Sequence, residues 1–144
     1  MLTETSAGDV GGVEVFATIT GYSKIDFDKR KIKKALRIQG GAIRKAARRL
    51  VARKAISAPG DFPGRDSGTL MRSIRLKVSS GGFWAKVAPY KTAEMGKDFY
   101  PAYLFYGTPT MEKRENYMIQ ALDQRRDATR SAIRAALEDS LVPR

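Results

Sequence analysis

The segment DKRKIKKALRIQGGAIRKAARRLVARK, residues 28 to 54, opens on Asp28 and from position 29 onward holds twelve Lys or Arg and no further acid. The rest of the 144-residue chain carries fifteen residues of each sign, so the whole formal net charge of +12 belongs to this one stretch. Charge concentrated in this way is an electrostatic footprint for a polyanion or an acidic surface, whereas scattered charge mainly reports solubility. The stretch also has the pattern of a helix. Asp28 is suited to cap it, and Ile32, Leu36, Ile43, Ala46, Ala47 and Leu50 recur with a 3.6-residue period to make one apolar stripe. Arg30, Lys33, Lys34, Arg37, Arg44, Lys45 and Arg48 face away from that stripe and are the candidate binding residues. At 1.5 Å per residue the predicted helix is roughly 39 Å long. Gly40-Gly41 in its middle lowers helix propensity, which predicts a kink or a close contact there.

Upstream, Val13, Val15, Ala17 and Ile19 alternate with Glu14, Phe16, Thr18 and Thr20, the period-2 signature of a half-buried strand ended by Gly21. Residues 1 to 12 are polar and Gly-containing and are expected to form a flexible N-terminus. Downstream, Ser57 to Gly68 contains two Pro and three Gly and reads as a loop. Ile74, Leu76 and Val78 alternate with Arg75 and Lys77; Ser79-Ser80-Gly81-Gly82 supplies a turn, and Phe83 to Ala88 returns as the partner strand of a β-hairpin. Pro101 is placed to start a short helical turn through Tyr106, closed by Gly107, with one further strand expected near Thr108 to Met111. A last helix is predicted from Tyr117 to Leu137, burying Met118, Ala121, Leu122, Ala128, Ala132, Ile133 and Ala136. The fold class is therefore α+β: a small antiparallel sheet with a long basic N-terminal helix and a C-terminal helix packed on it, in one domain over residues 13 to 140. Leu141-Val142-Pro143-Arg144 matches a thrombin recognition sequence up to its cut bond, and residues 141 to 144 read as a cloning scar outside the fold.

The chain has neither Cys nor His. That removes Ser-His-Asp and Cys-His nucleophile arrangements, the usual zinc ligand sets and disulfides, so neither an enzyme nor a cofactor is expected. Asp61, Asp66, Glu94 and Asp98 lack the acidic spacing of a calcium loop, and no metal site is expected from them. No apolar run reaches the roughly 20 residues that span a bilayer, and residues 1 to 12 hold no signal-peptide core, so a soluble protein made in a cytoplasm is expected, with no membrane partner. Phe99, Tyr100, Tyr103, Phe105 and Tyr106 cluster beside Pro101; the expectation is that these rings fill the core rather than stack on bases. Met111 and Met118 are likewise expected to be packing residues. For the basic face two partners stay open, nucleic-acid phosphate and an acidic protein surface. No base-reading pattern accompanies it.

One further pattern runs outside the basic segment. Ala58-Pro59 is followed by Asp66-Ser67-Gly68-Thr69-Leu70-Met71-Arg72-Ser73-Ile74, then the hairpin, then Tyr103-Leu104-Phe105-Tyr106-Gly107-Thr108, and then Met111, Arg114, Tyr117-Met118 and Ala121-Leu122. This order resembles the tail-completion, or head-tail joining, proteins of long-tailed bacteriophages, across about residues 30 to 137. The matching residues are mostly folding residues: Gly68 permits the turn out of the loop, Leu70 and Ile74 point inward, and Gly107 supplies the stop. The remaining matches are Asp66, Ser73, Tyr103, Thr108, Met111 and Arg114. The sequence departs from the family at Phe105, where Glu is frequent, and at Glu115-Asn116, where a Pro is expected. The resemblance implies a minor structural protein of a phage or prophage virion at the neck. It implies a homo-oligomeric ring, six-fold by analogy, between a tail terminator or tail tube protein and a head connector. The basic face would then meet either packaged DNA, blind to sequence, or an acidic neighbour. The second reading is a free-standing, non-specific nucleic-acid-binding protein.

Overall fold

The computed structural model describes residues 2–6, 12–17, 25–51, 61–64, 68–81, 83–97, 99–110, 112–113 and 115–143. Its centre is the long helix. Helix α1 spans Lys29–Leu50, and the Asp28 side chain accepts a hydrogen bond from the Arg30 amide at 3.1 Å, satisfying one of the free donors of the first turn. Ile32, Leu36, Gly40, Ile43 and Ala47 are buried along one side. Arg53 and Lys54, the last two cations of the basic run, lie outside the described residues.

Strands β1 (Leu2–Ser6), β2 (Val13–Ala17), β4 (Ile74–Val78) and β5 (Trp84–Pro89) form one antiparallel sheet in the order β1-β2-β5-β4. Helix α1 packs on β4 and β5, and helix α4 (Tyr117–Asp139) lies against α1 and reaches β1 and β2. Two layers result, with the core between them. Val13 and Val15 from β2, Ile74 from β4, and Ala85 and Val87 from β5 meet Ile32, Leu36, Ile43 and Ala47 of α1 and Met118, Ala121, Leu122 and Ile133 of α4. The α+β plan read from periodicity is the observed one. Asn116 caps α4, its Oδ1 accepting from the Met118 and Ile119 amides at 3.1 Å each.

Helix α1 runs through Gly40-Gly41 as a continuous element, and the two glycines do different things. A Cβ on Gly40 would sit 2.5 Å from Leu76 Cδ1 of β4, so the helix is drawn against the sheet at that point. Gly41 faces open space, with nothing within 4 Å of a built Cβ. Gly41→Ala is therefore expected to raise stability by about 1 kcal/mol through helix propensity. Gly40→Val, which adds branched bulk against Leu76, is expected to lower it by about 1–3 kcal/mol. Paired chemical denaturation curves check both. Equal effects of like sign would show that the helix does not approach β4 at Gly40.

Several expectations change. Residues 2 to 6 are not a loose tail: they form β1, paired with β2 from Leu2↔Ala17 to Ser6↔Val13. Leu141–Pro143, read as a scar outside the fold, forms strand β6, which pairs with β3 (Ile25–Phe27) from Phe27↔Leu141 to Ile25↔Pro143. The Asp28 amide also donates to the Ser140 carbonyl at 2.8 Å, and Lys31 Nζ meets Asp139 Oδ2 at 3.0 Å. The start of α1 and the end of α4 are thereby fastened together. Between loop and hairpin a short helix, α2 (Thr69–Ser73), replaces the expected direct entry into β4. In place of a strand near Thr108 to Met111, Thr108 makes an isolated bridge and Pro109-Thr110 turn; Met111 is outside the described residues. In α4 the buried position is Thr129 and Ala128 is exposed, because the inward stripe follows helical phase and not hydropathy.

Candidate polyanion or partner interface

The seven cations picked from the sequence lie on α1, outside its buried stripe, but they do not form one uniform face. Arg30, Lys34, Arg37 and Lys45 are exposed. Lys33, Arg44 and Arg48 are half-buried on the flank that overlooks β4, as the long stems of such side chains permit. There Lys33 Nζ donates to the Ser80 carbonyl in the hairpin turn, and Arg48 Nη2 donates to the Ile74 carbonyl at 2.8 Å. Among the described residues none of the seven forms a salt bridge with an acid; on α1 that role falls to Lys31 with Asp139. The charge is thus left available.

Arg44, Lys45, Arg48 and Arg49, with Gly41 and with Met71 of α2, line an open shallow depression. Gly41 adds no side chain to this lining, and nothing lies within 4 Å of a Cβ built there. Burial lowers the tendency of Arg48 to hold its proton, and the positive charges of Arg44 and then Arg75 act in the same direction. Arg44 and Arg75 each repel Arg48, whose Nε is buried and without a hydrogen-bond partner, which makes a place where an anion relieves the repulsion. Arg49 and Arg75 were not picked from the sequence. Arg49 was counted in the basic run but not assigned to the face; Arg75 belongs to β4, and only the packing of β4 under α1 brings it near Arg48. Ile38, 56% exposed, stands on the outer side of the same helix as an apolar spot among cations.

The residues that carry the resemblance take structural positions. Gly68 has φ 81° and precedes α2, Leu70 and Ile74 are buried, and the buried Ser73 hydroxyl donates to the Leu70 carbonyl at 2.7 Å. Helix α3 (Tyr100–Tyr106) ends at Gly107, whose φ of 79° lets its amide return to the Tyr103 carbonyl at 2.8 Å. Asp66, Met111 and Arg114 lie outside the described residues.

Two rings of the aromatic cluster, Tyr103 and Tyr106, do not fill the core as expected, while Phe99 and Phe105 are half-buried and the Tyr100 side chain lies outside the described residues. Tyr103 and Tyr106 are 42% and 62% exposed, and Phe105 packs edge-on against Tyr106 with centroids 4.7 Å apart. A helix of seven residues with rings on both sides buries one side only, and here that side holds Pro101 and Leu104. Phe105, Tyr106, Lys113, Glu115 and Asn116 line a second open hollow.

Of the four acids weighed as a cation site, Asp61 is exposed, Asp66 and Asp98 are outside the described residues, and Glu94 is engaged elsewhere. Its Oε2 accepts from Arg72 Nη2 at 2.8 Å and from Thr69 Oγ1 at 2.9 Å, which ties the turn Ala93–Met95 to α2. The Arg72 hydrogen bond, then that of Thr69, holds the Glu94 carboxyl below its ordinary value. A depressed carboxyl stabilises the fold fully above the ordinary glutamate range and loses that contribution as pH falls through the lower folded value. Glu94→Gln is accordingly expected to lower stability at neutral pH, where the ionised carboxyl contributes in full, and to leave the strongly acid region little changed, so that the acid limb of the stability-pH curve flattens. Thermal melts from pH 7 downward check it, and a parallel shift at every pH would count against the clamp.

Compared with known proteins, the chain matches no family model, no curated protein and no solved structure. No helix among the described residues is long and apolar enough to cross a membrane, and no group of three or more acids there is placed to hold a metal ion.

Proposed function

We propose that this chain is a structural virion protein of a long-tailed phage or prophage, completing the tail and joining it to the head connector at the neck as a small ring. The observation that carries the reading is that residues of the resemblance which are described take positions where their chemistry matters. Gly68 and Gly107 both have positive φ, Leu70 and Ile74 are in the core, and Ser73 caps its own helical turn. They fall in the expected order around the α2–hairpin–α3 segment. In this reading no catalysis is performed, no cofactor is needed, and the partners are a tail terminator or tail tube protein on one side and a head connector on the other. The uncompensated cations of α1 line the passage for packaged DNA or dock on an acidic ring.

The test is a deletion of the gene in its phage or prophage, with negative-stain images of the induced lysate. Unjoined heads and tails are expected, and added purified protein should restore joined particles. Normal joined particles in the deletion lysate would sink the reading.

The depression around Gly41 favours a second reading, a non-specific nucleic-acid-binding protein that acts alone. Its four cations and the absence of base-reading side chains suit phosphate contact, which is blind to sequence and weakens with salt. Failure of the isolated protein to bind duplex DNA at low salt would remove this second reading and leave the first.

A further inference from the structure

We infer that copies of this chain join edge to edge, strand β1 of one copy adding to the free side of strand β4 in the next. The inference rests on the ring reading and names the surface that would build it. The sheet order β1-β2-β5-β4 leaves β1 and β4 as its two edges, each five residues long. Among the described residues no strand pairs with the outer side of either.

The register fixes which groups of β4 are free. The Ser79 amide donates to the Trp84 carbonyl at 3.0 Å and the Tyr90 amide to the Ser73 carbonyl at 2.9 Å, so positions 73, 75, 77 and 79 are the hydrogen-bonded ones facing β5. Ile74, Leu76 and Val78 alternate with them, and their backbone groups point outward. The Ile74 carbonyl is taken by Arg48 Nη2. The amides and carbonyls of Leu76 and Val78 remain as a template for another strand.

Charge says which strand. Strand β1 carries Glu4 and no Lys or Arg, while Glu14 of the inner strand β2 is already paired with Lys86 of β5 at 3.6 Å. Strand β4 carries Arg75 and Lys77 and no acid, with the flank of α1 adding Lys33, Arg44 and Arg48 beside it; Arg72 is already paired with Glu94. One edge of the sheet is acidic and the other basic. Like edges repel, so β1–β1 and β4–β4 pairing are disfavoured and β1–β4 pairing is favoured. Such a contact uses two different surfaces and is heterologous, which generates a ring when the rotation closes.

The same asymmetry supplies the test. Glu4→Lys makes both edges basic, and the double change Arg75→Glu with Lys77→Glu makes both acidic. Each variant alone is expected to associate at least tenfold more weakly than the unaltered chain, read as mass by light scattering at low ionic strength. Mixed in equal amounts, the two have complementary edges at both kinds of junction and should recover the mass of the unaltered assembly. Circular dichroism checks that each variant is folded. Val78→Pro removes an outward amide without touching the β5 ladder and is expected to abolish association whatever the charges.

An unaltered chain that stays monomeric at millimolar concentration in low salt overturns the inference. So does a mixture that fails to recover, or an assembly indifferent to Val78→Pro. Oligomers that survive all the edge variants and still restore joined particles would leave the neck reading standing without this interface. Edge-paired oligomers that restore nothing would do the reverse.

Discussion

Replacing Ile43 with Ala is expected to lower stability by about 3 kcal/mol and the thermal midpoint by roughly 10 °C. Ile43 is fully buried at the middle of α1. Val13, Val15, Leu36, Gln39, Gly40, Ala85 and Val87 surround it, and the gap they leave has no room for a water. Three carbon atoms removed there leave a cavity whose walls have little freedom to close. On one side is a sheet held by paired strands; on the other, α1 already meets Leu76 at Gly40 and cannot move closer. Ile38→Ala, on the same helix but 56% exposed, serves as the contrast and should cost well under 1 kcal/mol. Urea or guanidinium titration of both variants measures the difference directly. A loss below about 1 kcal/mol at Ile43 would mean that α1 is not seated on the sheet as described.

The contrast between Ile43 and Ile38 also marks how far the sequence reached. Helical period placed Ile32, Leu36, Ile43 and Ala47 inside and left Ile38 out, because a 3.6-residue repeat is a local property that packing only has to honour. The hairpin was legible for the same reason, since alternation in residues 74 to 78 and 83 to 88 brackets a Ser-Gly turn. What escaped was non-local. Residues 2 to 6 become a strand because β2 offers an edge, and Leu141–Pro143 because β3 lies beside the end of α4; neither edge is visible in the short terminal segments themselves. Helix α2 is a single turn, too short to show a period. Tyr103 and Tyr106 were assigned to the core on their residue type, yet α3 has a buried side of its own in Pro101 and Leu104 and turns the rings outward. In the candidate site, Arg44, Lys45 and Arg48 were legible in the one-signed run. Arg75 was not, since its nearness to Arg48 depends on β4 lying under the helix.

The combined change Arg44→Gln, Lys45→Gln, Arg48→Gln and Arg49→Gln is expected to move binding and stability in opposite directions. Binding to a labelled duplex DNA of arbitrary sequence should weaken about a hundredfold at low salt, and the log-log salt dependence should flatten by roughly 0.9 for each phosphate no longer neutralised. A control variant with Lys91, Lys97, Lys113 and Arg134 changed to Gln has the same net charge and should bind nearly as the unaltered chain does. All four control residues are exposed and outside the depression. Stability should rise in the first variant. Arg44 and Arg48, and likewise Lys45 and Arg49, are like charges four residues apart on one helix, a spacing that costs about 0.2–0.5 kcal/mol per pair. Arg48 carries the added burden of burial and of Arg75 nearby. A helix that only faces water has no reason to keep such repulsion, because one acid at either position would convert it into attraction. Retaining it is the pattern of a binding surface left incomplete until its partner arrives. Should the quadruple variant lose stability and keep its affinity, the cations would be serving the fold. Should the unaltered chain ignore DNA at low salt while the variant fails to join particles, the partner is an acidic protein surface, and the same four side chains still define where it docks.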